Sequence, residues 1–227
     1  MSHEPSSTRR AGRPRSATAD RAILDAARAV IAEAGWAGVT LGGVAARAGV
    51  AKTTLYRRWP GKNELVLDAL ADLFDSLRLP DHGSLARDVE GVVLQFAALL
   101  REPPTRGALM AVLAESTHDA ALRERIRGSI VDRQKRLVLR GRERARARGE
   151  LPVEQDAAAA DRNADMIFDV IAGSVLHRLL VSAEPVTAAW ATAFATLLTR
   201  GLAALTDPAA GPDPDTDPDP GPDPPGH

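Results

Sequence analysis

Apolar positions recur along this chain at intervals of three and four residues, the spacing of helices that hide one face. Ile23, Ala26, Ala27, Val30, Ile31 and Ala34 form the first such stripe. Thr18 stands ahead of it as an N-cap, Asp20 falls in its first turn, and Gly35 supplies a stop. Thr40 is placed to cap a second helix that carries Leu41, Val44 and Ala45. Ala48-Gly49-Val50 reads as a tight break, and a short third helix is predicted from Ala51 to Trp59. Beyond Pro60-Gly61 a fourth helix is predicted from Lys62 through Leu65, Ala69, Leu70 and Leu73 to about Leu77.

After Leu79-Pro80-Asp81 the helical stripes lengthen. Ser84 to Arg101 places Val89, Val92, Val93, Phe96, Leu99 and Leu100 on one side. A shorter segment, Thr105 to Ser116, is rich in Leu, Met and Ala, and Asp119 to Arg148 reads as one long charged helix. Gly149-Glu150-Leu151-Pro152 is a good terminator. Two last helices follow, Asp156 to Val181 and Thr187 to Leu205, parted by Glu184-Pro185. No stretch alternates with the period of a strand, so the chain reads as all-α. Asp-Pro and Gly-Pro repeats from 206 to 227 have almost nothing to bury and read as a disordered tail.

Composition narrows the chemistry. The 227 residues suffice for one small module and one larger helical domain. Cysteine is absent, which removes disulfides and thiolate chemistry and fits a reducing cytoplasm. No leader-like segment or membrane-length apolar run is visible, so a cytoplasmic protein without a membrane partner is expected. The net charge of -1 conceals an uneven layout: residues 1 to 62 carry eleven bases against four acids, whereas the tail holds six aspartates and no base. A basic end on a near-neutral protein points to a polyanion partner, although a solvated basic surface has the same composition.

Two short helices joined by a glycine turn inside that basic end make a helix-turn-helix pattern. Its residues, Thr40-Leu41-Gly42-Gly43-Val44-Ala45-Ala46-Arg47-Ala48-Gly49-Val50-Ala51-Lys52-Thr53-Thr54-Leu55-Tyr56-Arg57-Arg58-Trp59 and then Lys62-Asn63-Glu64-Leu65, closely resemble the signature of the tetracycline-repressor (TetR) family. Ile23-Leu24-Asp25-Ala26-Ala27 and Gly35-Trp36 match the helix and aromatic that precede it there. The resemblance covers roughly residues 17 to 77; behind it the likeness is one of layout only.

That resemblance implies an N-terminal three-helix DNA-binding domain (17–77) behind a flexible basic arm (1–16), and a C-terminal helical ligand-binding and dimerisation domain (78–205). Val44, Ala45, Val50 and Leu55 then act as apolar pegs. Lys52 and Thr53 open the recognition helix and face base edges. Thr40 meets a phosphate at a helix start. Thr54, Tyr56, Arg58 and Lys62 match positions that hold phosphates in the family, and Arg57 completes the basic set. Where the family commonly has serine this chain has Ala51, so the third helix loses a cap. Gly42-Gly43 in a first turn is locally unfavourable; it either admits close approach to DNA or loosens the helix. Gly12-Arg13-Pro14-Arg15 reads as an AT-hook core, with Arg13 and Arg15 in a minor groove, or as an ordinary basic arm.

For the rest of the chain the implied function is a homodimeric repressor released from double-stranded operator DNA by a small-molecule effector. A ligand-independent or activating relative is the nearest alternative. Phe96, Met110, His118, Met166 and Phe168 are the candidate pocket lining, with Gln95, His118 or His177 to orient a polar group. Ile167, Ile171 and Val175, then Trp190, Phe194, Leu197, Leu198 and Gly201, form the candidate dimer face. Catalytic signals are poor: the five histidines are scattered, Ser174 lacks the glycine of a nucleophile elbow, and no phosphate-cradling loop occurs. Glu115 and His118 form a lone Glu-x-x-His, short of the paired motif a di-iron bundle requires. No enzyme, cofactor or metal is expected.

Overall fold

The computed structural model describes residues 14–152 and 157–205; the residues before and after, including Arg13 and the Asp/Pro tail, lie outside it. Among the described residues there are ten α-helices and no strand. Four helices form the front of the molecule: α1 (Pro14–Gly38), α2 (Leu41–Arg47), α3 (Lys52–Tyr56) and α4 (Lys62–Phe74). The first helix starts at Pro14 rather than after Thr18, because proline is pre-set for a first helical turn and needs no donor there. Arg15 is therefore helical backbone, and the extended strip that an AT-hook needs is not kept through Pro14 and Arg15. Gly35, at φ 64°, breaks the helix where the sequence indicated.

The core of this module is filled. Ile23, Ala27, Ile31, Val44, Ala45, Leu55, Leu65 and Leu70 are each at most 1% exposed. Arg28 is buried with them and pins α1 to α4: its guanidinium donates to the Ala69 carbonyl at 2.6 Å and pairs with Asp25 and Asp72. The third helix is shorter than predicted. After Tyr56 the amides of Arg58 and Trp59 both turn back to the Leu55 carbonyl, and Pro60 bars continuation.

Six further helices follow: α5 (Leu85–Arg101), α6 (Pro103–Ser116), α7 (Ala120–Ile126), α8 (Asp132–Ala147), α9 (Ala157–Leu176) and α10 (Ala188–Leu205). The single helix predicted from Asp119 to Arg148 is divided by a π-helical segment, Arg127–Val131, that packs on α4. Gly128 and Ser129, poor helix formers, sit at its centre. A second π-helical segment, His177–Val181, closes α9. α10 packs chiefly on α5, and α9 on α8.

Two contacts tie the front of the molecule to the back. α6 lies against α1 so closely that a Cβ on Gly107 would stand 3.1 Å from the Ala32 Cα, and the two helices would have to part by a few tenths of an ångström to admit one. α7 and α8 grip α4 at both ends. Arg125 pairs with Glu64 at 2.6 Å, Arg133 with Asp75 at 2.6 Å, and Gln134 donates to the Phe74 carbonyl at 3.1 Å. Arg144 adds donations to the Leu79 and Pro80 carbonyls at 3.2 and 3.1 Å.

Candidate nucleic-acid interface and internal cavity

The helix-turn-helix is built by three local devices. Thr40 adopts extended backbone (φ -127°, ψ 142°) and its hydroxyl accepts from the Gly43 amide at 3.0 Å, capping α2. Gly49, at φ 66°, makes the turn, and the Val50 amide reaches back to the Ala45 carbonyl at 3.0 Å. Leu55, fully buried, then drives α3 onto Val44 and Ala45 in the same core. Ala51 provides no side-chain cap for α3, in line with the missing serine.

One of the two glycines has a structural reason. A Cβ on Gly43 would lie 2.9 Å from the Thr40 hydroxyl and crowd the cap. A Cβ on Gly42 would meet only the end of the Lys52 side chain, at an ordinary 3.4 Å. Gly43 thus serves the cap of α2, at the expense of local helix propensity.

The polar residues of this face divide into two groups. Thr40, Lys52, Thr53, Tyr56 and Arg57 are exposed, Tyr56 to 52%, and Thr54 is half-buried at their edge. Arg58 and Lys62 are held from behind. Arg58 forms an ion pair with Asp20 of α1. The Lys62 ammonium donates to the Trp36 carbonyl at 3.2 Å and sits 4.7 Å from the centre of the Trp36 ring, a cation–π contact. Trp59 is buried and its indole N–H donates to Asp68 at 2.8 Å. The sequence reading missed both partners, Asp20 and Trp36, because each reaches its cation from a different helix. Arg47, also on this side, is held by a two-pronged pair with Glu33 at 2.6 and 2.7 Å. That pairing lowers the Glu33 carboxyl below its ordinary value and raises the Arg47 guanidinium above its own.

Behind the end of α4 lies a cavity of about 100 Å³. Phe74 and Leu77 close it at the α4 end, Val89 and Phe96 on α5, Leu137 and Val138 on α8, and Phe168 and Ile171 on α9. Of the expected lining residues Phe96 and Phe168 are in this wall; Met110, His118 and Met166 are not. Met110 is 43% exposed because Thr105, Ala108, Leu109 and Val112 take the inner face of α6, leaving Met110 outward. His118 is exposed beyond the end of that helix. Gln95 faces away, bonded to the backbone of Arg78, and His177 is exposed.

The residues of the expected dimer face differ in exposure. Ile167 and Val175 are buried within the chain, and Ile171 lines the cavity beside Ile167. One residue of helical rotation, about 100°, separates them from Met166 and Val170, which are each 39% exposed. On α10, Trp190, Phe194 and Leu198 are half-buried, Gly201 is exposed, and Leu197 is 73% exposed. Trp190 and Phe194 stack with ring centres 5.1 Å apart, and the Arg178 guanidinium lies 5.1 Å from the Trp190 ring. An apolar outer face therefore exists, carried by Met166 and Val170 on α9 in place of Ile167 and Val175. Among the described residues no helix is long and apolar enough to cross a membrane.

Comparison with known proteins agrees with this geometry. The family model of bacterial regulatory proteins, tetR family, matches residues 23–69, and that of the tetracyclin repressor-like C-terminal domain matches residues 79–198. An uncharacterised HTH-type transcriptional regulator, YdeS of Bacillus subtilis, is 29% identical over 77% of this chain and 85% of its own length. The DNA-binding transcriptional repressor TetR of Mycobacteroides abscessus is 32% identical over 73% of this chain and 84% of its own. Among solved structures, the TetR family regulator SCO0332 superposes with a TM-score of 0.62 at 29% identity, covering 81% of this chain and 97% of that one. A helix-turn-helix with a buried core, an outer face of exposed polar residues and a matched C-terminal domain thus meet in one chain, which belongs to the TetR family of DNA-binding transcriptional regulators.

Proposed function

We propose that this regulator is a homodimeric repressor that lets go of its operator when a small molecule enters the cavity behind α4. One observation carries the reading: the helix that starts at Lys62 on the DNA side ends in the cavity wall, at Phe74 and beyond it Leu77. An occupant presses on that end, and the three-helix module swings with α4. In a dimer the swing changes the spacing of two recognition helices that must match one turn of DNA, ~34 Å. Lys52 and Thr53 read base edges in this mechanism, while Thr40, Thr54, Tyr56, Arg57 and Lys62 hold phosphates. Arg58 acts through Asp20, setting α3 against α1. Met166, Val170, Phe194 and Leu197 join the two protomers. Support for an effector comes also from a structural neighbour, FadR of Bacillus subtilis, which was solved in complex with stearoyl-CoA and superposes with a TM-score of 0.60.

The test is a thermal-shift screen for stabilising compounds, followed by operator binding measured by fluorescence anisotropy. Linkage requires the effector and the operator to weaken each other by the same factor, typically 5- to 150-fold. Ala172→Phe, which puts a ring into the cavity from α9, is expected to mimic the occupied state: it binds operator weakly without effector and does not respond to effector. A stabilising compound that leaves operator affinity unchanged removes the release mechanism.

A further inference from the structure

We infer that the acidic tail of this chain, residues 206–227, lies across the outer face of α8 and is held there by Arg136 and Arg140. The stretch from Asp119 to Arg148, which spans α7 and α8, carries eleven bases against four acids. Several of these cations have a partner. Arg125 pairs with Glu64, Arg133 with Asp75 and Lys135 with Asp165, and Arg144 serves the Leu79 and Pro80 carbonyls. Arg136 and Arg140 are exposed, and neither side chain has an ion pair or hydrogen bond among the described residues. They stand about one helical turn apart, on the side of α8 turned away from Leu137, Val138 and Gly141 in the cavity wall.

Such a face suits an anion of several charges, since each guanidinium offers a fork of donors to a carboxylate or a phosphate. Its position argues against the operator. Arg133 meets α4 at its far end, Asp75, and α8 runs on from there beside Leu79, Pro80 and Asp81. The thirteen residues of α4, at about 1.5 Å each, set Arg136 and Arg140 ~20 Å behind Lys62 and the DNA side.

The chain itself supplies the anion. Beyond Leu205, where α10 ends, it continues with six aspartates and no lysine or arginine, and four of the six fall between Asp213 and Asp219. Leu202, in the last turn of α10, lines the same cavity as Leu137 and Val138, so the tail departs one cavity's width from α8. A proline-rich chain extends by ~3.1 Å per residue, which gives residues 206–227 a reach of ~70 Å. Crossing that width and passing round a helix ~11 Å in diameter takes ~30 Å. Tethering holds the tail at an effective concentration near millimolar, so a few exposed ion pairs, each weak alone, suffice. With almost nothing apolar to bury, the attachment is ionic and yields to salt.

Carbodiimide joins a carboxylate to an amine that touches it and leaves guanidinium groups alone. Arg136→Lys with Arg140→Lys in the full-length protein therefore turns the face into a reporter and keeps its charge. Arg200 is the last base of the chain, so trypsin releases the whole tail in one peptide, 201–227. Mass spectrometry is expected to find that peptide coupled to positions 136 and 140 in material of single-chain mass, and to lose the coupling at high salt. Tail coupled to Lys52 or Lys62 instead, coupling only between chains, or none at all overturns the proposal. Heparin chromatography gives a second readout. Changing the six tail aspartates to asparagine bares the face, and elution should move to higher salt. In an Arg136→Gln, Arg140→Gln background the same change should move elution by less than half as much. Equal shifts in the two backgrounds would show that the tail acts through net charge alone, and would overturn the assignment to α8.

Discussion

The two halves of this molecule are made from the same residue types and packed to different ends. In the front module a handful of aliphatic side chains fill the space between four helices, with Leu55 and Val44 wholly enclosed. Behind it, six further helices leave a hole between α5, α8 and α9. A filled core holds its helices at one angle, which suits a surface that must match the spacing of DNA. A core with a void forfeits packing energy on its lining, and that forfeit is recovered when a guest of the right shape arrives. The contrast extends to charge. In front, Arg58 and Lys62 are steadied by Asp20 and Trp36, while Lys52 and Arg57 stay exposed. In the rear, Arg144 of α8 serves backbone carbonyls of the α4–α5 connection, and Arg148 just beyond α8 pairs with Asp81 of that connection and Asp88 of α5.

The same substitution should therefore cost different amounts in the two halves. Leu55→Ala is expected to destabilise by about 3 kcal/mol, and Leu137→Ala in the cavity wall by about 1.5, since a half-buried side chain beside a void loses less. Urea unfolding measures both, and equal costs would erase the distinction between a filled and a hollow core. Leu197→Arg should next convert the proposed dimer to a monomer with its helical content intact. Light scattering at micromolar concentration reads the mass, and an unchanged mass would place the joining surface elsewhere. Lys62→Ala should weaken binding to all DNA sequences alike and lower the salt slope by ~1. Altered operator preference with the slope intact would show that Lys62 reads sequence, not phosphate.

The smallest effect concerns pH. The Glu33 carboxyl is held below its ordinary 4.5 by its two hydrogen bonds from Arg47. A carboxyl lowered on folding contributes stability above its unfolded value, and the contribution fades as pH falls through the folded one. Glu33→Gln should thus lie slightly below wild type at neutral pH and merge with it in acid. Both groups face solvent, so salt should flatten the difference. A gap that widens toward acid would show that the pair does not act on folding.

Much of the front module was legible because its determinants are local. The Thr40 cap, the Gly49 turn and the inward spacing of Val44, Ala45 and Leu55 are each settled within a few residues of chain. The missing cap at Ala51 could be read in the same way. Helix positions in the rear were readable too, since periodicity reports which residues share a face. Periodicity does not report which of two apolar faces turns toward a neighbour. Met166 and Ile167 are adjacent and equally apolar; the packing of α9 on α8 buries one and exposes the other. Met110 was drawn outward by the docking of α6 on α1, a contact set by Gly107 and Ala32 from distant parts of the chain.

By itself, then, the sequence determined the helical class and the helix-turn-helix, because backbone propensity and short-range capping act along the chain. Only the tertiary structure decided where the void lies, that Phe74 and Arg142 share its wall, and that Asp20 and Trp36 steady Arg58 and Lys62. A cavity is a property of the space left between helices brought together from far apart. Its volume depends on crossing distances that no single helix encodes.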